Sequence, residues 1–453
     1  MNAAANGDVI DLTQLTCGKI TLTEGPIDTN WLGPHPLNVL TLQGPGRDFL
    51  TISGGGQSLV FSAGGYSFTE NTFTVNDVTV ADGINAGSLW HESPACIDGV
   101  RGEVILNRVT FTNCHSTFKG GFGGGGAIGA DGLLQMTDTL ITNSSVTAIG
   151  GNTAQGGGAW VGGRMVLVRS TVTGNSVSAQ VSVDGYGGAQ VTTGGGIYAL
   201  NDIILIDSTI SGNAVEVTGP GENGRGGGVG LRGDFSATNS TIEGNTADGD
   251  GGGLYKFLSQ LINDPTQFVI SNSTVSGNRA GGAGGALASQ RQVTLANSTL
   301  AFNDAVLGGA VMFRVADIPY SPPSSVLHLQ STIIASNTAA PDAPFALDLA
   351  VDGKLVVDGA NNLVMQADPA IVLPLDTLSS DPRLLPLDWN GGATRTHALA
   401  GSSPARDAGN NAGDLPFDQR GEGYPRVVGP AADIGAFEAF PVVDEVFADG
   451  FEE

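Results

Sequence analysis

Short apolar runs of about five residues recur along the chain, separated by glycine and asparagine. Runs of that length are strands rather than helices. Their recurring anchor is a Thr, then an apolar residue, then usually Gly-Asn or a near relative. It is fullest in Asn239-Ser240-Thr241-Ile242-Glu243-Gly244-Asn245. The same anchor stands at Thr51-Ile52, Thr79-Val80, Thr110-Phe111, Thr139-Leu140, Thr171-Val172, Thr209-Ile210, Thr274-Val275, Thr299-Leu300 and Thr332-Ile333. Its intervals run from 25 residues (274 to 299) to 38 (171 to 209), a period that signals a solenoid or an array. The second half of each unit is glycine-rich and then apolar, as in Gly226-Gly227-Gly228-Val229 and Gly251-Gly252-Gly253-Leu254-Tyr255.

The glycine density forbids helical repeats, and no leucine ladder is present. Two or three short β-branched runs per unit match one coil of a parallel β-helix. Strands stacked about 4.8 Å apart make the ten anchors a rod of roughly 50 Å. The apolar residue after each Thr then points inward. Asn175, Asn213, Asn245, Asn278 and Asn303 share one repeat position, where stacked amides bond one another and tolerate the left-handed region. Residues 1–48 are expected to be an N-terminal cap with the first strands, and 49–340 the β-helix repeats. Residues 341–440 are expected to be the last coils and a C-terminal cap, and 441–453 an acidic tail.

Composition sharpens this picture. Seventy glycines with 6% aromatic residues is not an ordinary globular mix, while 40% hydrophobic residues is too many for disorder. The net charge of -25 argues against a nucleic-acid partner. It suits a soluble extracellular protein able to hold divalent cations. No stretch reaches the ~18 apolar residues of a membrane helix, and no secretory signal is visible. The chain therefore reads as the mature part of an exported protein. Its three cysteines allow either a Cys96–Cys114 bridge with Cys17 free, or three free thiols.

One segment carries a family likeness. Gly391-Gly392-Ala393-Thr394-Arg395-Thr396-His397-Ala398-Leu399 is followed by Ser403-Pro404-Ala405-Arg406-Asp407-Ala408-Gly409. Then come Asp418-Gln419-Arg420-Gly421, Arg426 and Asp433-Ile434-Gly435-Ala436-Phe437-Glu438. Together they resemble the C-terminal signature of choice-of-anchor Q domain proteins. The opening, Gly7-Asp8-Val9-Ile10-Asp11-Leu12 with Leu40-Thr41-Leu42-Gln43-Gly44-Pro45-Gly46, is similar to that family too. The Gly-Gly repeats also resemble those of polymorphic outer-membrane proteins. The resemblance implies an all-β, right-handed parallel β-helix of the pectin-lyase type, in exported bacterial proteins. About ten or more coils, capped at both ends, are expected. It implies no activity.

Candidate chemistry is sparse. Basic residues follow the glycine runs at Arg164, Arg232, Lys256, Arg291 and Arg314, and at matched coil positions they would form a ladder. Like charges at strand spacing repel unless an anion covers them, and Arg suits bidentate contact with carboxylate or sulfate. An acidic-glycan groove is one reading; a solvated turn that tolerates Arg is the other. Trp160, Tyr198 and Tyr255 end glycine-rich strands and are either a sugar platform or core cover. A β-elimination lyase would need a Lys or Arg base, for which Lys119, Lys256, Arg279 and Arg291 are candidates. Asp248 and Asp250 have a calcium-loop flavour but no repeat, so a turn competes with a metal site. In the C-terminal segment, Asp407, Asp414, Asp418 and Asp433 are expected to pair with Arg406, Arg420 and Arg426.

The leading expectation is a secreted or cell-surface, adhesin-like or acidic-glycan-binding module without catalysis, needing no cofactor, with calcium as an option. Polysaccharide lyase is the alternative, and a structural spacer the second. The expected partner is an acidic polysaccharide or cell-surface glycan.

Overall fold

From Thr72 to Asp352 each coil runs through the same four strands. The computed structural model describes residues 6–28, 39–62, 72–86, 94–100, 102–119, 122–150, 153–180, 192–219, 223–257, 267–290, 292–314, 325–341 and 347–440. Among these, every regular element is a strand. Sheet I has twelve strands, from Val9–Asp11 to Leu355–Ala360, and sheet II has twelve, from Lys19–Thr21 to Leu363–Val364. Sheet III has nine, from Ile84–Ala86 to Thr338–Ala339, and sheet IV eleven, from Ile27–Asp28 to Leu349–Asp352. All pairings within these sheets are parallel and join one coil to the next, as Val172 joins Ile210 and Ile210 joins Ile242. This is a parallel β-helix.

The apolar residue after most of these Thr residues points inward, but Leu140 and Ile333 stand in register with Thr110 and Thr299, so Ile141 and Ile334 take the inward place there. Val172, Ile210, Ile242, Val275, Leu300 and Ile334 form a buried column in sheet II. They meet the inward residues of sheet I, such as Met165 and Leu167, and of sheet IV, such as Val161 and Leu231. Full burial of each such side chain contributes roughly 1.5–3 kcal/mol. A charged residue at Val275 would therefore break the coil locally.

Two buried ladders tie the turns together. At the turn from sheet II to sheet III, the backbone N–H and Nδ2 of Asn213 both donate to Asn245 Oδ1 at 3.0 and 2.9 Å. Asn245 repeats this on Asn278, Asn278 on Asn303, and Asn303 on Asn337. Asp348 ends the series by accepting both Asn337 donors at 2.8 Å. Burial raises its carboxyl above the usual carboxylate range despite those bonds. The glycine run packs directly on this ladder: a Cβ at Gly228 would lie 2.7 Å from Gly253 O and 3.0 Å from the Asn245 side chain. At the turn from sheet I to sheet II, the backbone N–H groups of Ser170, Ser208 and Ser240 donate to the hydroxyls of Ser208, Ser240 and Ser273. Each of these serines donates its own hydroxyl to the carbonyl two residues earlier.

The C-terminal segment does two things. Ala367, Ile371 and Leu373 pack against the end of the main core. The chain then turns back and runs along sheet II. Gly435 N donates to Ser331 O, Ala436 N to Thr299 Oγ1, Thr274 Oγ1 to Gln419, and Thr241 Oγ1 to Arg395 O. The outer Thr row records this cover: Thr171 and Thr209 are half-buried, whereas Thr241, Thr274 and Thr299 are buried. The expected cap is thus an end plug followed by a lateral strap. At the other end, Val9–Asp11, Lys19–Thr21 and Ile27–Asp28 are already the first coil. No helix of the described residues is long and apolar enough to cross a membrane.

Candidate functional site

The strap does not lie flat along its whole length. Where its antiparallel pair Leu384–Asp388 and Thr396–Leu399 crosses sheet II, a groove of about 820 Å³ remains. One wall is the third residue of successive sheet II strands: Thr173, Ser211, Glu243 and Ser276. The floor is the next residue of each coil, Gly212, Gly244, Gly277 and finally Phe302. Leu384, Pro386, Leu387, Arg395 and His397 close the opposite wall.

Phe302 is out of keeping with its repeat. Gly212, Gly244 and Gly277 hold φ of +60°, +59° and +64°, and Phe302 holds +58°. A side chain in that region costs about 1–2 kcal/mol; the same turn position elsewhere holds the small polar residues Asp82, Asn113, Asn143 and Ser336. The ring is 44% exposed and tilts against the His397 ring at 5.0 Å between centroids. Among the described residues at this turn position, Phe302 is the bulky apolar one.

Three polar groups hold the wall. Arg395 donates through Nε and Nη2 to Glu243 Oε1, leaving Nη1 without a partner among the described residues. Glu243 is 5% exposed, and its Oε2 is buried with no hydrogen-bond partner. His397 is held at both ring nitrogens. Nδ1 lies 2.7 Å from Leu385 O, so Nδ1 carries the proton, and Nε2 accepts from Ser276 Oγ at 2.8 Å. Burial lowers the imidazole below its ordinary value, so the ring is neutral at pH 7.

The residues singled out by sequence lie elsewhere, chiefly on sheet IV. Arg164 pairs with Asp202 at 3.2 Å and Arg314 with Asp250 at 2.7 Å. Arg232 Nε donates to Tyr198 Oη at 3.1 Å. Lys256 is 1% exposed; its register partner is the inward Leu231, and its Nζ donates to the carbonyls of Arg232 and Gly233. The cations therefore form no open row: Lys256 has turned into the coil, and two others are neutralised. Arg291 lies outside the described residues. Arg279 is exposed beside Asp304 at 3.5 Å, on sheet III. Lys119 ends the sheet III strand His115–Lys119.

Trp160, Tyr198 and Tyr255 share one outward row of sheet IV, but they are 5%, 1% and 7% exposed. They pack with Phe257 and Ala288 instead of forming an open platform. Asp248 accepts from Val217 N and Gly224 N, and Asp250 from Ala283 N. Both act as turn locks, and no metal-holding group of three His, Cys, Asp or Glu occurs among the described residues. Cys96 and Cys114 are joined in a disulfide, and Cys17 is free and exposed. Asp418 and Arg420 do pair, with the Arg420 guanidinium enclosed by Tyr424 and Phe437 at 4.0 and 3.8 Å.

Comparison with known proteins finds no relative. No family model matches the chain, and no curated protein or solved structure is significantly similar to it.

Sequence reasoning missed the groove because its two walls are far apart in the chain: Ser276 and His397 are 121 residues apart, and Glu243 and Arg395 152. One signal was present. Phe302 interrupts a column of Gly-Asn pairs at Gly174, Gly212, Gly244 and Gly277.

Proposed function

We propose that this chain is an exported, surface-displayed binding module for a glycan, and that the ligand lies in the groove under the strap. The observation that carries the reading is Phe302, a half-exposed ring at a glycine position. Sugars dock on such rings through their C–H faces and satisfy their hydroxyls on neighbouring polar groups. Thr173 and Ser211 supply hydroxyls along the wall, and Arg395 Nη1 supplies donors. The wall advances by about 4.8 Å per coil, so it meets an extended polymer with a repeated hydroxyl row.

The Nη1 donors of Arg395 also suit a carboxylate or sulfate oxygen, which keeps an acidic glycan in view. The surface setting rests on the resemblance to choice-of-anchor Q domain proteins and on the acidic composition. An array of acidic and neutral glycans tests the reading. Binding to one glycan class is expected, with at least a tenfold loss in Phe302→Gly. An empty array would favour the spacer reading, and binding that Phe302→Gly leaves unchanged would place the glycan site outside the groove. The lyase reading lacks an open base at Lys256, because that side chain is enclosed.

A further inference from the structure

The geometry points to a serine acyl-transfer centre in the same groove, with Ser276 as nucleophile, His397 as general base and an O-acyl ester as substrate. Nucleophilic catalysis needs a hydroxyl bonded to a base whose other side is fixed by a third group. Each part is present. Ser276 Oγ lies 2.8 Å from His397 Nε2, and Leu385 O, 2.7 Å from Nδ1, fixes the tautomer that leaves Nε2 as acceptor. The lone pair of Nε2 is aimed at the hydroxyl and not at open solvent. That orientation suits activation of an oxygen nucleophile better than removal of a proton from carbon.

The surroundings fit an ester. Phe302, Leu384, Pro386 and Leu387 give the groove an apolar side for an acyl group. Glu243 is the register partner of Ser276 in the neighbouring strand, and Arg395, anchored on Glu243, lines the same groove. Its unspent Nη1 donors supply positive charge where a tetrahedral oxyanion develops. The groove exists only because the strap delivers His397 and Arg395 to a wall built from Glu243 and Ser276.

The step balances with water as the only co-reactant. Ser276 Oγ bonds to the ester carbonyl carbon while its proton passes to His397 Nε2. The tetrahedral adduct expels the alkoxide, which takes that proton and leaves as the alcohol. Water, deprotonated by His397, then attacks the acyl-serine. The carboxylic acid departs, and the Ser276 hydroxyl regains its proton. An O-acylated polysaccharide is the substrate class if the groove takes a saccharide; only the alcohol half of the ester rests on that reading.

The test uses the full chain with a fluorophosphonate probe and p-nitrophenyl acetate. The expected result is labelling of Ser276 at close to one probe per chain, with ester hydrolysis that follows a single pKa on the acid side. Ser276→Ala should abolish the labelling, and His397→Gln should lower it and the hydrolysis rate by about 10²-fold or more. Thermal unfolding of each variant identifies one that fails to fold. No labelling of the folded wild-type protein, or labelling at another residue, overturns the proposal and leaves the pair as a clip that holds the strap. Labelling without glycan-array binding would sink the glycan reading alone, and array binding without labelling would sink the acyl-transfer centre alone.

Discussion

Arg395 Nε donates to Glu243 Oε1 at 3.0 Å, and this contact spans 152 residues. It fastens the strap to the solenoid one coil away from the His397–Ser276 contact. The Glu243 side chain is 7% exposed and that of Arg395 38%. Loss of the arginine leaves a nearly buried carboxylate unpaired, which is worse than loss of both partners. Arg395→Ala is expected to cost about 2–3 kcal/mol, less than a fully buried pair because water reaches the guanidinium. The Glu243→Gln/Arg395→Ala double variant should recover part of that. Urea unfolding of the four proteins measures the coupling; additive losses would show that the pair does not hold the strap.

The asparagine ladder makes a second prediction. Asn245 accepts from Asn213 N and Nδ2 and donates to Ile210 O at 3.0 Å. Asn245→Ala would deprive Asn213 N and Ile210 O of these bonds and leave Asn213 Nδ2 with Val172 O alone, at a cost of about 3 kcal/mol or more. Hydrogen exchange should show the Asn213 amide losing protection. An unchanged exchange rate there would mean that water replaces the side chain at little cost.

These two features differ in how far sequence exposed them. The ladder was legible because Asn175, Asn213, Asn245, Asn278 and Asn303 each follow a strand of fixed length. Register then aligns them automatically, whatever the loops do. The serine ladder had the same kind of signal in Ser170, Ser208, Ser240, Ser273 and Ser298, one residue before each Thr. The row of cations failed for the opposite reason. Arg164 stands three residues beyond its strand, while Lys256 and Arg314 stand inside theirs, so equal distance from a glycine run did not mean equal position on the coil. The groove was hidden because strap and wall meet through tertiary contacts that no local period encodes.

The strap should weaken as pH rises. Burial lifts the Glu438 carboxyl from 4.5 to about 7, although the N–H groups of Val428 and Asp433 donate to it. Burial raises Asp433 as well. A carboxyl raised in the folded state binds more protons there than in the unfolded chain, so its contribution is complete below about pH 4.5 and is lost through about pH 7. For Glu438 the loss is on the order of 3 kcal/mol across that window. The unfolding midpoint of the wild type should fall between pH 5 and pH 8, and Glu438→Gln should flatten the decline. A midpoint that rises with pH, and does so equally in Glu438→Gln, would contradict this.

Thiol chemistry separates the three cysteines. Under native, non-reducing conditions Ellman's reagent should find one thiol, Cys17, and three after unfolding in reductant that is then removed. The bridge closes a loop of 18 residues, so its reduction should cost about 3 kcal/mol. Three thiols without reductant would remove the bridge from the fold.

Phe302→Gly, which restores the residue of the preceding coils at Gly212, Gly244 and Gly277, separates ligand binding from packing at the groove. Glycine relaxes the φ of +58° that the ring endures, so stability should hold or rise by up to about 1 kcal/mol. Glycan affinity, measured on the same preparation by calorimetry, should fall at least tenfold. A variant that loses several kcal/mol of stability while binding as tightly as the wild type would make Phe302 a packing residue and remove the groove as the binding site.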